Sequence, residues 1–435
     1  MSTTKPPLNA GQQQVANAFF EFLFTDQKEM VISGPPGTGK TFLMSYLIDE
    51  ILPRYHQTPS MMGIKAEYVD VVMTATTNQA AEVLSVATQR PTQTIHSLIG
   101  LKVKDDYNTG KSYLTKSNAW SITYNTIIFI DEFSGVDRRL LAFVREAVID
   151  CKIVWVGDKD QLLGVGETQS AIEAENLPTY HLTEPMRNAS QPALVNLCDQ
   201  LRTTVQTNEF KPIQIVPGVI DHVSPEEMQS IINETFVNQT YDARILAYTN
   251  QRVNDYNAYI RELRKLGTQF AEGEYLINNS TWRRNSSVLS VQDEIQIVRV
   301  YPEPETVMIS PEIQFSVYFV DIERRSTRET ITRIPIPLDR QYVTEVAKYF
   351  ARQKAWSDYF NIKNTYPDFR PRDASTTHKA QGSTYDVALI DLGDFSQCRQ
   401  ANVAARLLNV GCSRARHRVI LYGELADKYG GLIHP

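Results

Sequence analysis

Cysteine is scarce in this 435-residue sequence, which has four, and no two of them form a Cys-x-x-Cys pair. No histidine stands at zinc-finger spacing from them, so the sequence argues against a disulfide framework and against a structural metal. Long apolar runs are also missing, and the N-terminus has no signal-peptide pattern. Together these absences predict a cytoplasmic protein with free thiols and without a membrane partner.

An excess of basic charge is absent as well. The chain has 44 Lys and Arg residues against 50 Asp and Glu, a formal net charge of -6. This balance argues against a protein that coats nucleic acid with its whole surface. It leaves room for a narrow basic channel, because phosphate contacts act within a Debye length of roughly 8–10 Å. The apolar content of 42% and charged content of 22% are ordinary, and the length predicts about two to four globular domains.

Residues 34–41 read GPPGTGKT and match the phosphate-loop pattern G-x-x-x-x-G-K-[ST] at every fixed position. They follow the apolar run 30–32 and precede a stretch of helical apolar spacing that we expect to end at Pro53. A strand, a loop and a helix in that order are the context that this motif requires. The pattern predicts a site for a nucleoside triphosphate.

The chemistry of such a loop gives each residue type a role. Glycines allow successive backbone N–H groups to converge on phosphate oxygens at a helix N-terminus. Lys40 would neutralise the β- and γ-phosphates, and the Thr41 hydroxyl would hold Mg²⁺. The other nucleotide-binding positions in the loop are Gly34, Pro35, Gly37, Thr38 and Gly39.

Two further strand candidates end in polar residues that could act on the same nucleotide. The run 127–130 is followed by Asp131 and Glu132, and the run 153–156 leads to Gln161. Ligands of a parallel sheet bind at the carboxyl ends of its strands, so these residues should lie beside the loop. Asp131 fits as a partner of Mg²⁺ and Glu132 as the base that orients and deprotonates water. Gln161 could reach the γ-phosphate or the attacking water, with an ordinary turn as the alternative.

Two isolated arginines, Arg187 and Arg414, stand among apolar or small residues. An arginine that reaches across a cleft stabilises the charge of a phosphoryl-transfer transition state. Taken singly, each is more often an ordinary surface arginine, and the local sequence does not decide between the two roles.

Strand candidates alternate with helical stretches, which predicts an α/β fold with a parallel sheet covered on both faces. A second alternating set begins after Pro185, with strands at 245–248, 387–390 and 419–422. This second set has no phosphate loop of its own.

Two segments depart from that pattern. Residues 101–114 alternate around a polar, glycine-containing centre, so we expect a projecting hairpin, with a surface loop as the alternative. Between 268 and 370, runs of period two predict antiparallel strands in a small barrel or sheet, followed by a helix over 342–360. The aromatic side chains of that helix indicate a packing face, with a base-stacking platform as the alternative.

The ordered set of motifs resembles that of superfamily 1 DNA helicases, and within them the RecD-like branch that includes the phage Dda helicases. The similarity spans nearly the whole chain, and a stretch ending in Gln12 resembles the family's adenine-reading glutamine motif. The motifs are residues 34–41 (GPPGTGKT), 131–134 (DEFS), 157–161 (GDKDQ), Arg187, 377–382 (THKAQG) and 413–416 (SRAR), supported by 94–97 (TIHS) and 247–250 (AYTN).

The resemblance implies two RecA-like lobes with ATP between them, a strand-separating pin, and an accessory domain with a small barrel of the Src-homology-3 type. The implied boundaries are 1–100 and 115–184 for the first lobe (1A), 101–114 for the pin (1B), 185–267 and 371–435 for the second lobe (2A), and 268–370 for the accessory domain (2B).

The resemblance also implies residue roles at the ATP site. Lys40, Glu132 and Gln161 would act in catalysis from the first lobe. Arg187 and Arg414 would reach in from the second lobe, so that closing the cleft completes the site. The cofactors would be ATP and Mg²⁺.

Further roles follow for the second lobe and the DNA path. Gly382 would join the nucleotide site, and Tyr107 would be either an aromatic residue at the DNA fork or a solvent-facing turn residue. Polar side chains that contact phosphates without demanding a particular base would line the single-strand path. They are Thr77, His96, Asn250, Thr377 and His378.

The function that the resemblance implies is an ATP-dependent DNA helicase that moves 5′ to 3′ along single-stranded DNA and separates duplex DNA. Its partners would be single-stranded DNA and single-strand/duplex junctions. It would act as a monomer, and replication or single-strand-binding proteins are candidate protein partners. The alternative is an ATP-gated protein that binds or remodels single-stranded DNA without unwinding, and a strand-displacement assay distinguishes the two.

Overall fold

The computed structural model describes residues 7–61, 63, 66–161, 170–184, 191–238, 242–284 and 287–435. None of the helices in these ranges is long and apolar enough to cross a membrane. The helices are α1 (Ala10–Phe22), α2 (Lys40–Tyr46), α3 (Leu52–Met61), α4 (Asn78–Thr88), α5 (Ile95–Leu98), α6 (Arg138–Ala147), α7 (Pro192–Thr207), α8 (Pro225–Phe236), α9 (Asn250–Leu263), α10 (Arg340–Arg352), α11 (Trp356–Thr365), α12 (Leu392–Phe395) and α13 (Ala401–Ser413).

The strands of the same ranges alternate with these helices in the first and last parts of the chain and follow one another in the middle. They are β1 (Glu29–Ser33), β2 (Asp70–Ala75), β3 (Thr92–Thr94), β4 (Leu101–Asp105), β5 (Ser112–Lys116), β6 (Thr123–Tyr124), β7 (Thr126–Asp131), β8 (Val148–Ile149), β9 (Lys152–Gly157), β10 (Thr179–His181), β11 (Ile213–Gln214), β12 (Ile220–Val223), β13 (Ala243–Ala247), β14 (Tyr275–Asn278), β15 (Trp282–Arg284), β16 (Ser287–Leu289), β17 (Glu294–Ser310), β18 (Ile313–Arg324), β19 (Thr330–Pro337), β20 (Phe369–Pro371), β21 (Ala374–Thr376), β22 (Tyr385–Asp391), β23 (Ala415–Tyr422) and β24 (Leu432–Ile433).

The described chain divides into two compact units. The first contains the described parts of Met1–Leu101, Lys116–His222 and Ala380–Pro435. The second contains those of Lys102–Thr115 and Val223–Lys379. The four domains expected from the sequence, with their boundaries, stay a prediction.

A six-stranded sheet in the order β10-β1-β9-β7-β2-β3 forms the centre of the first unit, and its neighbouring strands are all parallel. Its inner strands are short apolar runs, as expected for a sheet buried on both faces. The predicted α/β fold with a parallel sheet is confirmed. The register pairs Ser33 with Gly157 and Ala75 with Asp131, so the carboxyl ends of β1, β9, β7 and β2 share one edge.

Apolar residues of the first three helices pack against this sheet. Phe19 of α1 contacts Phe129 of β7 with ring centroids 5.7 Å apart, and Leu43 and Leu47 belong to the same buried cluster. Full burial of such side chains contributes about 1.5–3 kcal/mol each. This packing fixes the start of α2, and with it the phosphate loop.

The expected end of the helix at Pro53 is wrong. A π-helical turn, Leu47–Ile51, joins α2 to α3, and the Leu52 N–H donates to the Leu47 carbonyl. Pro53 therefore lies in the first turn of α3, where a missing N–H is tolerated. The helix continues to Met61.

The last part of the chain adds a second parallel pairing to the first unit. Strands β22 and β23 run parallel, with Ala388 opposite Val419. Helices α12 and α13 connect them, and α13 packs on α7. Arg406 of α13 donates to the carbonyls of Lys159 and Gln161, which follow β9 of the six-stranded sheet.

The second unit contains a parallel pair, β13 and β21, and a five-stranded antiparallel sheet in the order β19-β18-β17-β14-β20. The predicted antiparallel strands between 268 and 370 are confirmed, and the barrel stays a prediction. Trp282, Tyr318 and Phe369 lie in the core of this sheet.

The single helix expected over 342–360 is wrong, because two helices, α10 and α11, occupy the region. The chain turns between them at Lys354, whose φ of 56° is in the left-handed region. Val343 and Val346 of α10 and Ile362 of α11 join one buried cluster, which supports the packing-face interpretation.

The hairpin predicted over 101–114 is confirmed by the pairing of β4 with β5. Its turn packs on α11. The Tyr107 ring meets the Phe360 ring edge-on at 5.2 Å between centroids, and Asn364 donates to the Asp105 carboxylate at 3.2 Å. Helix α11 of the second unit therefore supports the hairpin.

Candidate functional site

The phosphate loop connects the end of β1 to α2, which begins at Lys40. The Gly34 N–H donates to the Gly157 carbonyl at 3.0 Å, which ties the loop to the end of β9. The predicted strand, loop and helix therefore stand in the order that phosphate binding needs.

The loop itself is held in shape by backbone conformation and one hydroxyl. Gly37 and Gly39 have φ of 87° and 78°, in the left-handed region that favours glycine. The buried Thr38 hydroxyl donates to the Pro35 carbonyl at 2.9 Å. A loop of this form can direct its N–H groups toward one anion.

The Lys40 ammonium lies inside the loop. It donates to the carbonyls of Gly34 at 2.7 Å and Pro35 at 2.9 Å. Burial lowers the pKa of Lys40, and the carboxylates of Asp158 and Asp131 oppose that shift. Lys40 is thus a half-buried cation close to acidic groups, where a phosphate would find its counter-charge.

The predicted carboxylates Asp131 and Glu132 lie at the end of β7. Burial raises the pKa of Asp131. Burial, and then the neighbouring Asp131, raise the pKa of Glu132 to about 7, against the attraction of Lys40. Among the described residues the buried Glu132 Oε2 has no hydrogen-bond partner. A carboxylate with such a pKa and a free oxygen suits a general base at neutral pH.

The Gln161 side chain meets a residue from the far end of the chain. The Gln381 Nε2 donates to the Gln161 Oε1 at 3.0 Å and to the Ser134 Oγ at 3.4 Å. Gly382 follows with a φ of 83°. The structure therefore brings the 381–382 segment to the same sheet edge as Glu132.

Arg414 is buried near the same carboxylates. Its guanidinium donates to the Val410 and Ser383 carbonyls, both at 3.2 Å, and to the Ser413 hydroxyl at 3.1 Å. Burial lowers the pKa of Arg414, and Glu132 is the largest opposing influence. The predicted catalytic arginine and the predicted base therefore lie within electrostatic reach of each other.

Gln12 is fully buried and joins α1 to the phosphate loop. Its Oε1 accepts from the Asn9 N–H at 3.2 Å in a capping box, and its Nε2 donates to the Thr38 carbonyl at 3.2 Å. Both ends of its amide are therefore engaged. Adenine recognition by Gln12 stays a prediction.

Thr41 and Asp131 are the predicted Mg²⁺ partners. Within the part of the chain that the structure describes, no group of three or more His, Cys, Asp or Glu side chains could hold a metal ion by itself. Mg²⁺ usually takes one or two carboxylates together with substrate phosphates and water. A hydroxyl in the first turn of α2 and a half-buried carboxylate at the end of β7 fit that kind of site.

Two predicted DNA-contacting residues, Thr77 and His96, lie at one edge of the main sheet. Ala75 of β2 pairs with Thr94 of β3. Thr77 lies two residues after Ala75, and His96 lies two residues after Thr94. Thr77 is exposed and caps α4 by accepting from the Ala80 N–H at 3.1 Å. Burial lowers the pKa of His96, which favours the neutral imidazole at pH 7.

The other three predicted DNA contacts lie in the second unit. Asn250 is exposed at the start of α9. Thr377 is fully buried, and its hydroxyl donates to the Ala247 carbonyl at 3.4 Å. His378 is half-buried, and burial lowers its pKa. DNA contact by these three residues stays a prediction, as does the role of the half-exposed Tyr107 at a fork. The predicted catalytic Arg187 lies outside the described residues.

Two family models match the sequence. The AAA domain matches residues 7–214, and the UvrD-like helicase C-terminal domain matches residues 373–422. The ATP-dependent DNA helicase dda of Enterobacteria phage T4 is 22% identical over 455 aligned residues, which cover 95% of this chain and 98% of that protein. An uncharacterized protein of Acanthamoeba polyphaga mimivirus is also 22% identical and covers 94% of this chain and 99% of its own length.

Among solved structures, the Pif1 helicase from Bacteroides in complex with ADP-AlF3 and single-stranded DNA has the same fold. Its TM-score is 0.50 at 13% identity, and the match covers 99% of this chain and 95% of that one. The chain therefore resembles superfamily 1 helicases of the Dda and Pif1 type in its sequence and in its fold. The family resemblance expected from the motifs is confirmed.

The site contains further polar residues that the motifs did not indicate. Arg202 of α7 pairs with Asp158 at 3.0 Å and with Asp160 at 2.7 Å. The Asp158 Oδ2 is buried and, among the described residues, has no hydrogen-bond partner. Arg406 of α13 donates to backbone carbonyls of the same loop. No local pattern could have found either arginine, because each meets its partners only in the folded unit.

Proposed function

We propose that this protein binds single-stranded DNA, hydrolyses ATP, and uses the hydrolysis to separate duplex DNA. One observation within the chain supports this most strongly. Arg414, from the last strand-helix-strand segment, lies within electrostatic reach of Glu132 and Asp158. A nucleotide site that depends on such a remote segment couples hydrolysis to movement of that segment.

Different residues of the first unit have different roles in ATP hydrolysis. The N–H groups of the loop hold the phosphates, and Lys40 turns its ammonium from the loop carbonyls toward them. Magnesium bound with the nucleotide through Thr41 and Asp131 would neutralise charge on the β- and γ-phosphates. The free oxygen of Glu132 accepts a proton from the attacking water.

Arg414 and Gln161 have the remaining roles in hydrolysis. The guanidinium stabilises charge that develops on the transferred phosphoryl group, an effect worth about three to five orders of magnitude in rate. The Gln161 amide orients the water. Lys40, Glu132, Gln161 and Arg414 all belong to the first unit of one chain, which supports a monomer as the active form.

ATPase measurements with and without single-stranded DNA test the function. We expect the rate to rise on addition of DNA and to be lost in Lys40→Ala, because Lys40 binds the phosphates whether or not DNA is present. Lys28→Met is the control and should change neither rate, because the half-exposed Lys28 ammonium lies on the surface, 3.6 Å from the Asp150 carboxylate. A wild-type ATPase rate that does not change on addition of DNA would contradict coupling between ATP hydrolysis and DNA binding.

The direction of movement is proposed as 5′ to 3′ on the resemblance alone. Displacement of streptavidin from a biotinylated oligonucleotide reads this direction. We expect faster displacement from a 3′ biotin than from a 5′ biotin. The opposite preference would reverse the assigned polarity.

A further inference from the structure

The loop that follows β9 is held by side chains of α13. Arg406 donates through its Nη1 to the carbonyls of Lys159, at 2.9 Å, and of Gln161. Asn409 donates to the Asp160 carbonyl at 3.3 Å. Positions 406 and 409 are three apart on one helix and so share a face. Three successive carbonyls of the loop are thus bonded to one face of α13.

The other side of the loop is held by α7. Arg202 donates to the Asp160 Oδ2 at 2.7 Å and to the Asp158 Oδ1 at 3.0 Å. Gln206 donates to the same Asp160 oxygen at 2.9 Å. Asp158, Asp160 and Gln161 are all buried. The loop is therefore fixed through its carboxylates by one helix and through its carbonyls by another.

Gln161 lies in this loop, and in the proposed function its amide orients a water molecule. Displacing a group that orients a reactant by about 1 Å can cost about 10²-fold in rate. The Arg406 Nη1 donates to both carbonyls. A lysine side chain is one atom shorter, so its ammonium would not reach the position of that Nη1.

We propose that Arg406 is a positioning residue for ATP hydrolysis, which holds the backbone of residues 159–161 so that the Gln161 amide stands at the γ-phosphate. This inference rests on the proposed function. Arg406 does not touch the nucleotide in this role, and it acts through Gln161. Binding of ATP, which depends on the phosphate loop, does not require it.

A double-mutant cycle tests the role. We expect Arg406→Ala and Gln161→Ala each to lower kcat by about 10²-fold at saturating ATP and DNA, with KM for ATP changed less than about threefold. The double variant should be no slower than either single variant, because both remove the same function. Arg399→Ala, an exposed arginine two residues before α13, is the matched control and should keep the wild-type kcat.

Two results would overturn the proposal. One is an unchanged kcat in Arg406→Ala. The other is a double variant about 10⁴-fold slower than wild type, because multiplied losses mean independent roles. If Arg406→Ala is unfolded at the assay temperature, Arg406→Lys decides. We expect this variant to have the wild-type melting temperature and an intermediate loss of kcat. An unchanged kcat in Arg406→Lys would overturn the role.

Failure of this inference is distinguishable from failure of the proposed function. Wild-type hydrolysis that single-stranded DNA does not raise contradicts the helicase function. The same cycle, measured on hydrolysis without DNA, still reports whether Arg406 acts through Gln161.

Discussion

The Gln381 amide donates to the Gln161 Oε1 across 3.0 Å, which joins the segment after β21 to the loop after β9. A second donation, to the Ser134 hydroxyl at 3.4 Å, brings the segment to the residues that follow Glu132. Both bonds connect parts of the first unit that are more than two hundred residues apart in sequence.

Gln381→Ala should therefore lower DNA-stimulated ATP hydrolysis by about tenfold, the effect of roughly 1.4 kcal/mol, without changing KM for ATP. The measurement is a steady-state ATPase titration with single-stranded DNA. Gln400→Ala, at an exposed position before α13, is the control. An unaltered stimulated rate in Gln381→Ala would mean that this contact does not transmit the effect of DNA.

The raised pKa of Glu132 predicts a pH dependence. A base must be unprotonated to accept a proton, so kcat/KM should fall as the pH drops through the pKa of about 7. The expected loss is about tenfold per pH unit below that value, with a plateau above it, because kcat/KM reports the free enzyme. A flat profile from about pH 6 to pH 8 would contradict the role of Glu132.

The parts of the site that local sequence could predict are those whose chemistry depends on a local backbone. Gly37 and Gly39 reveal the phosphate loop because their φ angles require glycine. Asp131 and Glu132 were predictable because a buried strand ends there. Arg202 and Arg406 were not, because their partners are roughly 40 and 245 residues distant and only folding makes the pairs.

Two helix boundaries were mispredicted for physical reasons. Pro53 usually ends a helix, but the π-helical turn before it places it in a first turn, where its missing N–H costs little. Lys354 breaks the 342–360 helix although neither glycine nor proline marks the break. There the packing of α10 and α11 against the antiparallel sheet overrides local preference.

A buried lysine predicts a stability effect. The fully buried Lys152 donates to the Phe22, Thr25 and Gln27 carbonyls at 2.9, 2.6 and 2.6 Å. Lys152→Met keeps the apolar stem but leaves those carbonyls without their shared donor, which should cost about 3 kcal/mol of unfolding free energy. Urea unfolding measures it.

The control for that variant is Lys28→Met. Lys28 is half exposed, so its substitution should cost less than about 0.5 kcal/mol. Equal unfolding midpoints for the two variants would show that the buried donor does not stabilise the junction of α1 and β1.

Because α11 supports the hairpin, we expect a substitution that breaks this contact to reduce unwinding but not ATP hydrolysis. Gly110 has a φ of 69°, and a Cβ there would lie 2.2 Å from the Trp356 ring. Gly110→Ala should push the hairpin off α11 and reduce strands separated per ATP, while DNA-stimulated hydrolysis stays within about twofold of wild type. Simultaneous unwinding and ATPase assays give this ratio.

Gly273→Ala is the matched control for the hairpin variant. Gly273 has a φ of 82°, and among the described residues no atom lies within 4 Å of an added Cβ. Alanine there carries the same backbone strain without the clash. If both variants separate strands with equal efficiency per ATP, contact between the hairpin and α11 is not needed for unwinding.

The most direct measurement is strand displacement from a duplex that carries one 5′ single-stranded tail, with ATP hydrolysis followed in the same reaction. We expect the wild-type protein to separate the strands only while it hydrolyses ATP, and Lys40→Ala to bind the tail without displacing the strand. Hydrolysis stimulated by the tail, with no strand displaced, would contradict the assignment of this chain as a DNA helicase.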